Sequence, residues 1–150
     1  MQLILYKAFG HKKSTILDKA IAISTLSKYS HSELVFSDGQ CFSSSGRDNG
    51  VRFKNFIPNT QRWDIFELDI TKEEESHIRY MANLYAKRKT QYDFIGAITC
   101  GLHICLLNKK YFCSEILVEL LSFIFVVDNF PCKYSPGKLA KFIQSSPSKR

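Results

Sequence analysis

Hydrophobic and polar residues alternate through the first half of the chain in a pattern that predicts a β-sheet. Apolar side chains recur there at every second position or in short runs bounded by turn residues. The predicted strands cover residues 2–8, 31–36, 40–44, 51–54 and 64–70. Asp38-Gly39 separates the second strand from the third and is typical of a tight turn, so residues 31–44 are predicted to form a hairpin.

Three helices are predicted where a capping residue precedes apolar residues at helical spacing. They cover residues 15–27, the segment from Thr71 to about Lys89, and residues 136–144. Ser14 is the expected N-cap of the first helix, and Thr71 with Glu74 forms a capping box at the second. Ser135, followed by Pro136, is expected to cap the last helix.

Two segments, 94–107 and 116–127, are apolar almost throughout. Each is shorter than the roughly 20 residues that a helix needs to cross a bilayer. Both are therefore predicted to be core helices, and no transmembrane segment is expected. The 150 residues are predicted to form a single α+β domain, an antiparallel sheet packed against helices, with a flexible tail at 145–150.

The chain carries a formal net charge of +7, with its basic residues scattered in small clusters. This balance is typical of a solvated surface, and it also suits anionic partners such as cell-wall polymers, lipid headgroups or nucleic acid. The sequence contains no motif specific for nucleic acid and no glycine-rich phosphate loop, so nucleotide hydrolysis is not expected.

Five cysteines stand at positions 41, 100, 105, 113 and 132, without a CxxC pair. The first seven residues lack the basic leader, apolar core and cleavage site of a signal peptide. We therefore expect reduced cysteines and a chain that is cytoplasmic at synthesis. Cys100, His103 and Cys105 fit no common zinc spacing and lie in an apolar segment, so they are predicted to be buried, and no metal is expected.

Cys113 is the candidate nucleophile, because it precedes a long apolar run that predicts a buried helix. At the first turn of a helix, free N–H groups and the helix dipole favour a thiolate over a thiol. The backbone N–H of Cys113 could also stabilise an oxyanion at that position. A histidine within reach of the thiolate would complete a covalent catalyst.

His31 is the candidate general base, because it opens a strand expected at the centre of the sheet, where an imidazole is held rigidly. Glu33 lies two residues further on, on the same face, so its carboxylate could orient the imidazole. Ser43 and Ser44 on the paired strand compete for that role, and Glu33 could instead be a structural carboxylate. The histidines expected to be structural are His11, His77 and His103.

The order of these motifs resembles the circularly permuted papain-like hydrolases. Tyr29-Ser30-His31 follows a strand and a helix, the Asp38-Gly39 hairpin comes next, and Tyr92-Asp93-Phe94 precedes Phe112-Cys113-Ser114-Glu115. In papain the cysteine comes first, whereas here the histidine does, as in the permuted branch of the NlpC/P60 superfamily. That branch includes the YiiX/YaeF-like amidases and, more distantly, the lecithin:retinol acyltransferase-like proteins. The resemblance spans roughly residues 2–118.

The resemblance implies a papain-like fold in which Cys113 is the nucleophile and His31 the base. The third polar residue of this family usually comes from the strand after the histidine strand, which here offers Ser43 or Ser44 instead of an acid. The expected substrate-binding residues are Tyr6, Tyr92 and Asp93.

The activity implied by the resemblance is hydrolysis of an amide bond, in a peptidoglycan peptide or a peptide-like conjugate. It proceeds through a Cys113 acyl-enzyme and requires no metal and no organic cofactor. Two alternatives remain open. One is a thioesterase or acyltransferase for lipid acyl groups, with the apolar segment 94–107 as a binding wall. The other is a non-catalytic module that uses the same fold to bind a protein or an anionic polymer.

Overall fold

The structure of the chain is a computed structural model that describes all residues except 11, 103, 106–108, 146 and 150. In this described part the strands are β1 (Gln2–Lys7), β2 (Tyr29–Val35), β3 (Gln40–Ser45), β4 (Gly50–Asn55) and β5 (Trp63–Glu67). The α-helices are α1 (Ile16–Ser24), α2 (Lys72–Lys87), α3 (Phe94–Thr99), α4 (Cys113–Leu121) and α5 (Pro136–Gln144). Short 3₁₀ turns lie at Gly46–Asp48, Cys100–Leu102 and Pro131–Lys133.

The strands form one open antiparallel sheet in the order β4-β3-β2-β1-β5. The mixed α+β class and the antiparallel sheet are therefore confirmed, and β2, which carries His31, is the central strand as predicted. Between the pairs Tyr6–His31 and Lys7–Tyr29 the register shifts, so Ser30 is an extra residue in β2. A β-bulge of this kind bends a strand and changes the direction of the neighbouring side chain.

Successive side chains of the central strands point alternately to the two faces of the sheet. Leu3, Leu5 and Leu34 are fully buried on the face that packs against α4, and each such side chain contributes about 2 kcal/mol to folding. The intervening residues Ile4 and Tyr6 point to the opposite face, where they pack around Trp63. His31 lies opposite Tyr6 in the register and therefore belongs to this second face.

The predicted N-cap of the first helix needs correction. Thr15 rather than Ser14 caps α1, because the Ser14 hydroxyl donates to the Ala8 carbonyl at 2.6 Å instead of to the helix. Thr71 and Ser135 cap α2 and α5 as predicted, and α5 has the predicted bounds.

The apolar segment 94–107 is not a core helix, so that prediction is wrong for its described residues. Helix α3 ends at Thr99, a 3₁₀ turn follows, and much of the apolar surface is exposed. The exposed apolar side chains of this segment are Phe94, Ile95, Ile98, Leu102 and Ile104. The other apolar segment is buried as predicted over α4, although the helix ends at Leu121 and not near 127.

Cys105 and Cys132 form a disulfide, with Cα atoms 5.5 Å apart, so the expectation of reduced cysteines is wrong for these two. The pairing follows from tertiary structure, because the turn at Cys100–Leu102 packs against the turn at Pro131–Lys133. Two residues of the predicted tail contact the rest of the chain. Ser148 accepts a hydrogen bond from the Val126 amide at 2.9 Å, and Lys149 pairs with Glu74 at 3.0 Å.

None of the helices in the described residues combines the length and the apolar character that crossing a membrane requires.

Candidate active site

Cys113 is the first residue of α4, and hydrogen bonds on both sides of it hold the start of the helix. The Ser44 hydroxyl donates to the Tyr111 carbonyl at 2.7 Å, and the Ser114 hydroxyl donates to the Tyr134 carbonyl at 2.6 Å. Cys113 itself is only 1% exposed. The first N–H groups of a helix have no acceptor within it, so a developing negative charge at this position is favoured.

The His31 imidazole and the Cys113 thiol interact, since each group shifts the pKa of the other, although the two residues belong to distant parts of the chain. The ring is held from the other side by Trp63, whose ring centroid is 6.2 Å away in an edge-on arrangement. The His31 side chain is 18% exposed, so the imidazole is partly accessible to solvent while the sulfur is not. The structure thus brings the two predicted reactive groups together.

The proton equilibrium of this pair favours an ion pair. Burial raises the pKa of Cys113, but the charge of His31 and the polar groups of His31 and Ser32 outweigh burial and lower it. Burial lowers the pKa of His31, but Cys113 first and Glu33 second raise it to about 9. The two shifts favour transfer of the proton from the Cys113 thiol to the His31 imidazole, and hence a thiolate beside an imidazolium.

Glu33 contacts His31 directly, as its position two residues along the strand predicts. Its Oε1 lies 3.1 Å from His31 Nε2. Arg52 donates to both carboxylate oxygens, from Nη2 to Oε1 at 2.8 Å and from Nη1 to Oε2 at 3.0 Å. Burial raises the pKa of Glu33, but His31 and Arg52 together lower it, so the carboxylate is ionised despite being almost fully buried.

An ionised carboxylate only accepts hydrogen bonds, so it determines the tautomer of His31. Nε2 must carry the proton that it donates to Glu33, and Nδ1 remains as the second hydrogen-bonding atom of the ring. A neutral His31 in this tautomer can take a proton at Nδ1. Glu33 thus orients the ring and stabilises its cationic form.

Arg52 also binds a second acid, Asp48. Its Nε donates to Asp48 Oδ2 at 2.8 Å, and Lys54 binds the other oxygen of Asp48 at 3.1 Å. Sequence reasoning missed both Arg52 and Asp48. A positional signal did exist, because Arg52 lies opposite Ser43 in the β3–β4 register and hence on the face of Glu33, but reading it requires the register between strands.

Ser43 and Ser44 do not contact His31. The Ser43 hydroxyl donates to the Ser32 carbonyl at 2.7 Å, and the Ser44 hydroxyl donates to Tyr111. The β2–β3 pairing includes Leu34 and Val35 but not Ser32, so Ser43 supplies the hydrogen bond that a strand amide would otherwise give. The two serines support the backbone around the site, and Glu33 is the polar residue that lies against the imidazole.

A cleft of about 780 Å³ opens in front of His31 and Glu33. Its apolar lining includes Tyr6, Phe56, Trp63, Tyr92 and Phe94. Its charged lining combines five basic residues with three acids that pair with Arg47, Arg52 and Lys54; the basic residues are Lys13, Arg47, Arg52, Lys54 and Arg62, and the acids are Asp18, Glu33 and Asp48. A ligand with an apolar part and an anionic group matches this combination of linings.

The residues expected to bind substrate divide into two groups. Tyr6 and Tyr92 line the cleft, and burial together with the charge on Cys113 raises the pKa of Tyr92 well above its usual value. Asp93 instead caps α3 by accepting the Gly96 amide at 2.8 Å, and it is buried. Asp93 therefore shapes the segment that bears Phe94 and lies outside the lining of the cleft.

Cys113 lies behind the cleft and not on its wall. Ser32, which sequence reasoning missed, is close to the sulfur: its buried hydroxyl has no geometrically satisfactory hydrogen bond in the described part of the chain, yet it favours the thiolate. The sulfur is therefore covered by surrounding groups.

The remaining histidines and cysteines do not extend the site. His77 is exposed on α2 and contacts Phe123, whereas His11 and His103 lie outside the described residues. Within the described ranges no group of three potential ligands could hold a metal ion. Burial raises the pKa of Cys41 to about 11 and that of Cys100 to about 12, so these thiols are protonated at neutral pH.

No protein-family model matches the chain, and no curated protein sequence matches it.

Proposed function

We propose that the chain is a cysteine hydrolase that cleaves an amide bond in a peptide-like substrate, with Cys113 as the nucleophile and His31 as the base. The observation that carries this proposal is the interacting Cys113–His31 pair at the start of α4, with pKa shifts that favour a thiolate and with Glu33 Oε1 3.1 Å from His31 Nε2. A thiolate held by an imidazolium, which a carboxylate orients in turn, is the arrangement that thiol acyl transfer needs.

The reaction begins when the thiolate of Cys113 attacks the carbonyl carbon and forms a C–S bond. The carbonyl oxygen becomes an oxyanion, which in this proposal accepts hydrogen bonds from the first N–H groups of α4. The His31 imidazolium gives its proton to the leaving amine as the C–N bond breaks, which leaves a thioester. Neutral His31 then takes a proton from water, and the hydroxide so formed releases the acid and restores the pair.

We further propose that the fold is of the circularly permuted papain-like type. The support is the combination of a central-strand histidine that precedes the cysteine in sequence and a helix that begins at the cysteine and packs on the opposite face of the sheet. Both features agree with the motif order that suggested the resemblance.

The cleft favours a substrate that carries an apolar group near the scissile bond and a carboxylate or phosphate further away. A peptide with free carboxylates meets this description, since Lys13 and Arg62 lie at the cleft beside aromatic rings. The aromatic lining also favours a second candidate, a fatty acyl ester or thioester, which the same thiolate would attack in the same way.

The test combines the state of the thiol with turnover. Thiolate absorbance, followed against pH, should show Cys113 ionised well below the value of about 8.5 for an ordinary thiol, and this signal should vanish in Cys113→Ala. Cys41→Ala is the matched control, because Cys41 is equally buried and protonated at neutral pH. Amide and thioester acyl probes, read by mass spectrometry, then report which acyl group becomes attached to Cys113.

Cys113→Ala should abolish acylation and hydrolysis while leaving the fold intact, and His31→Ala should do nearly the same. An ordinary thiol at position 113, without acylation by either kind of probe, would instead support the non-catalytic binding module. Acylation by the thioester probe alone would favour the lipid acyl candidate over the amidase.

A further inference from the structure

A second groove, of about 420 Å³, lies between the end of α1 and the start of α5, and its lining residues differ from those of the first cleft. Four lysines line it: Lys28, Lys133, Lys138 and Lys141. No acidic residue is part of this lining. Lys28 is paired with Asp64 at 2.9 Å, and Asp128 lies near Lys138, so the groove keeps an excess of positive charge.

Exposed apolar side chains surround the lysines. Leu26 lines the groove and is 96% exposed. Leu102 follows Gly101, which lines the groove and packs against Ser24 and Thr25, and is 70% exposed. Phe130, also 70% exposed, lies within cation–π distance of Lys133. The Cys105–Cys132 disulfide joins the two segments that carry Leu102 and Phe130.

Leu26 is held in a backbone conformation that works against its own side chain. Its φ is +48°, in the left-handed region that costs most non-glycine residues about 1 kcal/mol or more. Glycine or asparagine would adopt this conformation more easily, and either would avoid exposing a leucine to water. An exposed, strained apolar residue at the edge of a basic groove indicates that the leucine has a contact to make elsewhere.

We propose that this groove and its rim, defined by Leu26, Leu102, Phe130 and the four lysines, bind the surface of a membrane that contains anionic phospholipid. Lysine ammonium groups meet lipid phosphates and carboxylates in the groove, while the apolar side chains enter the boundary between headgroups and acyl chains. Nucleic acid would satisfy the lysines but would leave Leu26 and Leu102 in water, because aliphatic side chains cannot stack on bases as aromatic rings do.

The candidate active site adjoins this face. Helix α3 carries Phe94, which lines the catalytic cleft, and leads through Ile98 into Cys100 and Gly101, which line the lysine groove. Ile95 and Ile98 on α3 are exposed as well, so the apolar rim continues toward the cleft. Membrane binding is measured without any substrate, so its test is independent of the proposed hydrolase activity.

The experiment is co-sedimentation of the full chain with vesicles of phosphatidylcholine, with and without phosphatidylserine. Binding should require phosphatidylserine and weaken with added salt. Because each lysine near an anionic surface is worth about a fivefold change in affinity, the variant K133Q/K138Q/K141Q should bind about 100-fold more weakly. The control K72Q/K87Q/R88Q removes the same charge from exposed positions on α2 and should bind like the wild type.

Leu26→Asn removes an apolar side chain without changing the net charge, so it tests the apolar contact alone. Asparagine adopts the left-handed conformation of this position more easily than leucine does, so the variant should fold at least as stably as the wild type. Its vesicle binding should fall about tenfold at unchanged net charge. Three results would each overturn the proposal: no binding of the wild type to phosphatidylserine vesicles, an equal loss in the α2 control, or unchanged binding by Leu26→Asn. Binding of duplex DNA that depends on the groove lysines but not on Leu26, without vesicle binding, would identify a nucleic-acid surface instead.

Discussion

Replacing Glu33 by glutamine tests whether the carboxylate sets the proton affinity of His31. The rise in the His31 pKa from 6.5 to about 9 corresponds to about 3 kcal/mol of stabilisation of the imidazolium. Cys113 contributes more of this rise than Glu33 does, so we assign about 1 kcal/mol to Glu33. Glu33→Gln should therefore reduce the proton affinity of His31 about fivefold.

The direction of the pH effect follows from the sign of that change. Activity should fall at high pH where His31 loses its proton, near 9 in the wild type, and this upper limb should move to lower pH in Glu33→Gln. A less strongly protonated His31 stabilises the Cys113 thiolate less, so the pKa of the thiol should rise. The low-pH limb of the activity profile should therefore move to higher pH. The glutamine amide can also donate to Nε2 and select the other tautomer, so turnover should fall by about 10- to 100-fold.

The assay is an NMR titration of the His31 ring, with its resonance identified by its absence in His31→Ala. Asp48→Asn is the matched control: it removes the other acid bound to Arg52 but does not touch the imidazole. If Glu33→Gln leaves the His31 titration unchanged, or if Asp48→Asn shifts it as much, Glu33 does not orient and charge His31 as argued here.

Two further changes should alter stability in different ways. Arg52→Gln leaves the buried Glu33 carboxylate without its bidentate partner and should lower the free energy of unfolding by about 3 kcal/mol at neutral pH, as urea denaturation would measure. The deficit should shrink in acid, where Glu33 in the variant becomes protonated; a deficit that grows in acid would contradict this reasoning. Cys105→Ser with Cys132→Ser removes a cross-link over 27 residues and should cost up to about 3 kcal/mol, measured in the same assay, whereas unchanged stability would mean that the pair is not bonded in solution.

The parts of the molecule that were predictable from sequence depend on local patterns. A period of two places His31 and Glu33 on one face of a strand, and the Thr71 and Ser135 caps mark helix starts without any tertiary information. The start of α4 at Cys113 was also predictable from the sequence, because an apolar run follows a polar segment.

The features that sequence did not reveal depend on contacts between distant segments. Arg52 reaches Glu33 only because β4 pairs with β3, and Cys105 meets Cys132 only because two turns pack together. The segment from 94 to 107 shows that amino-acid composition alone does not predict burial. Apolar content alone cannot say whether another element covers a helix, and in the described part of this segment much of the apolar surface stays uncovered.

The hydrogen bond from Ser44 to the Tyr111 carbonyl joins the hairpin that follows the histidine strand to the residues that lead into Cys113. Neither segment by itself contains both His31 and Cys113, so a fragment that lacks either segment loses the interaction that lowers the pKa of the thiol. Acidity of the sulfur is thus a property of the assembled tertiary structure.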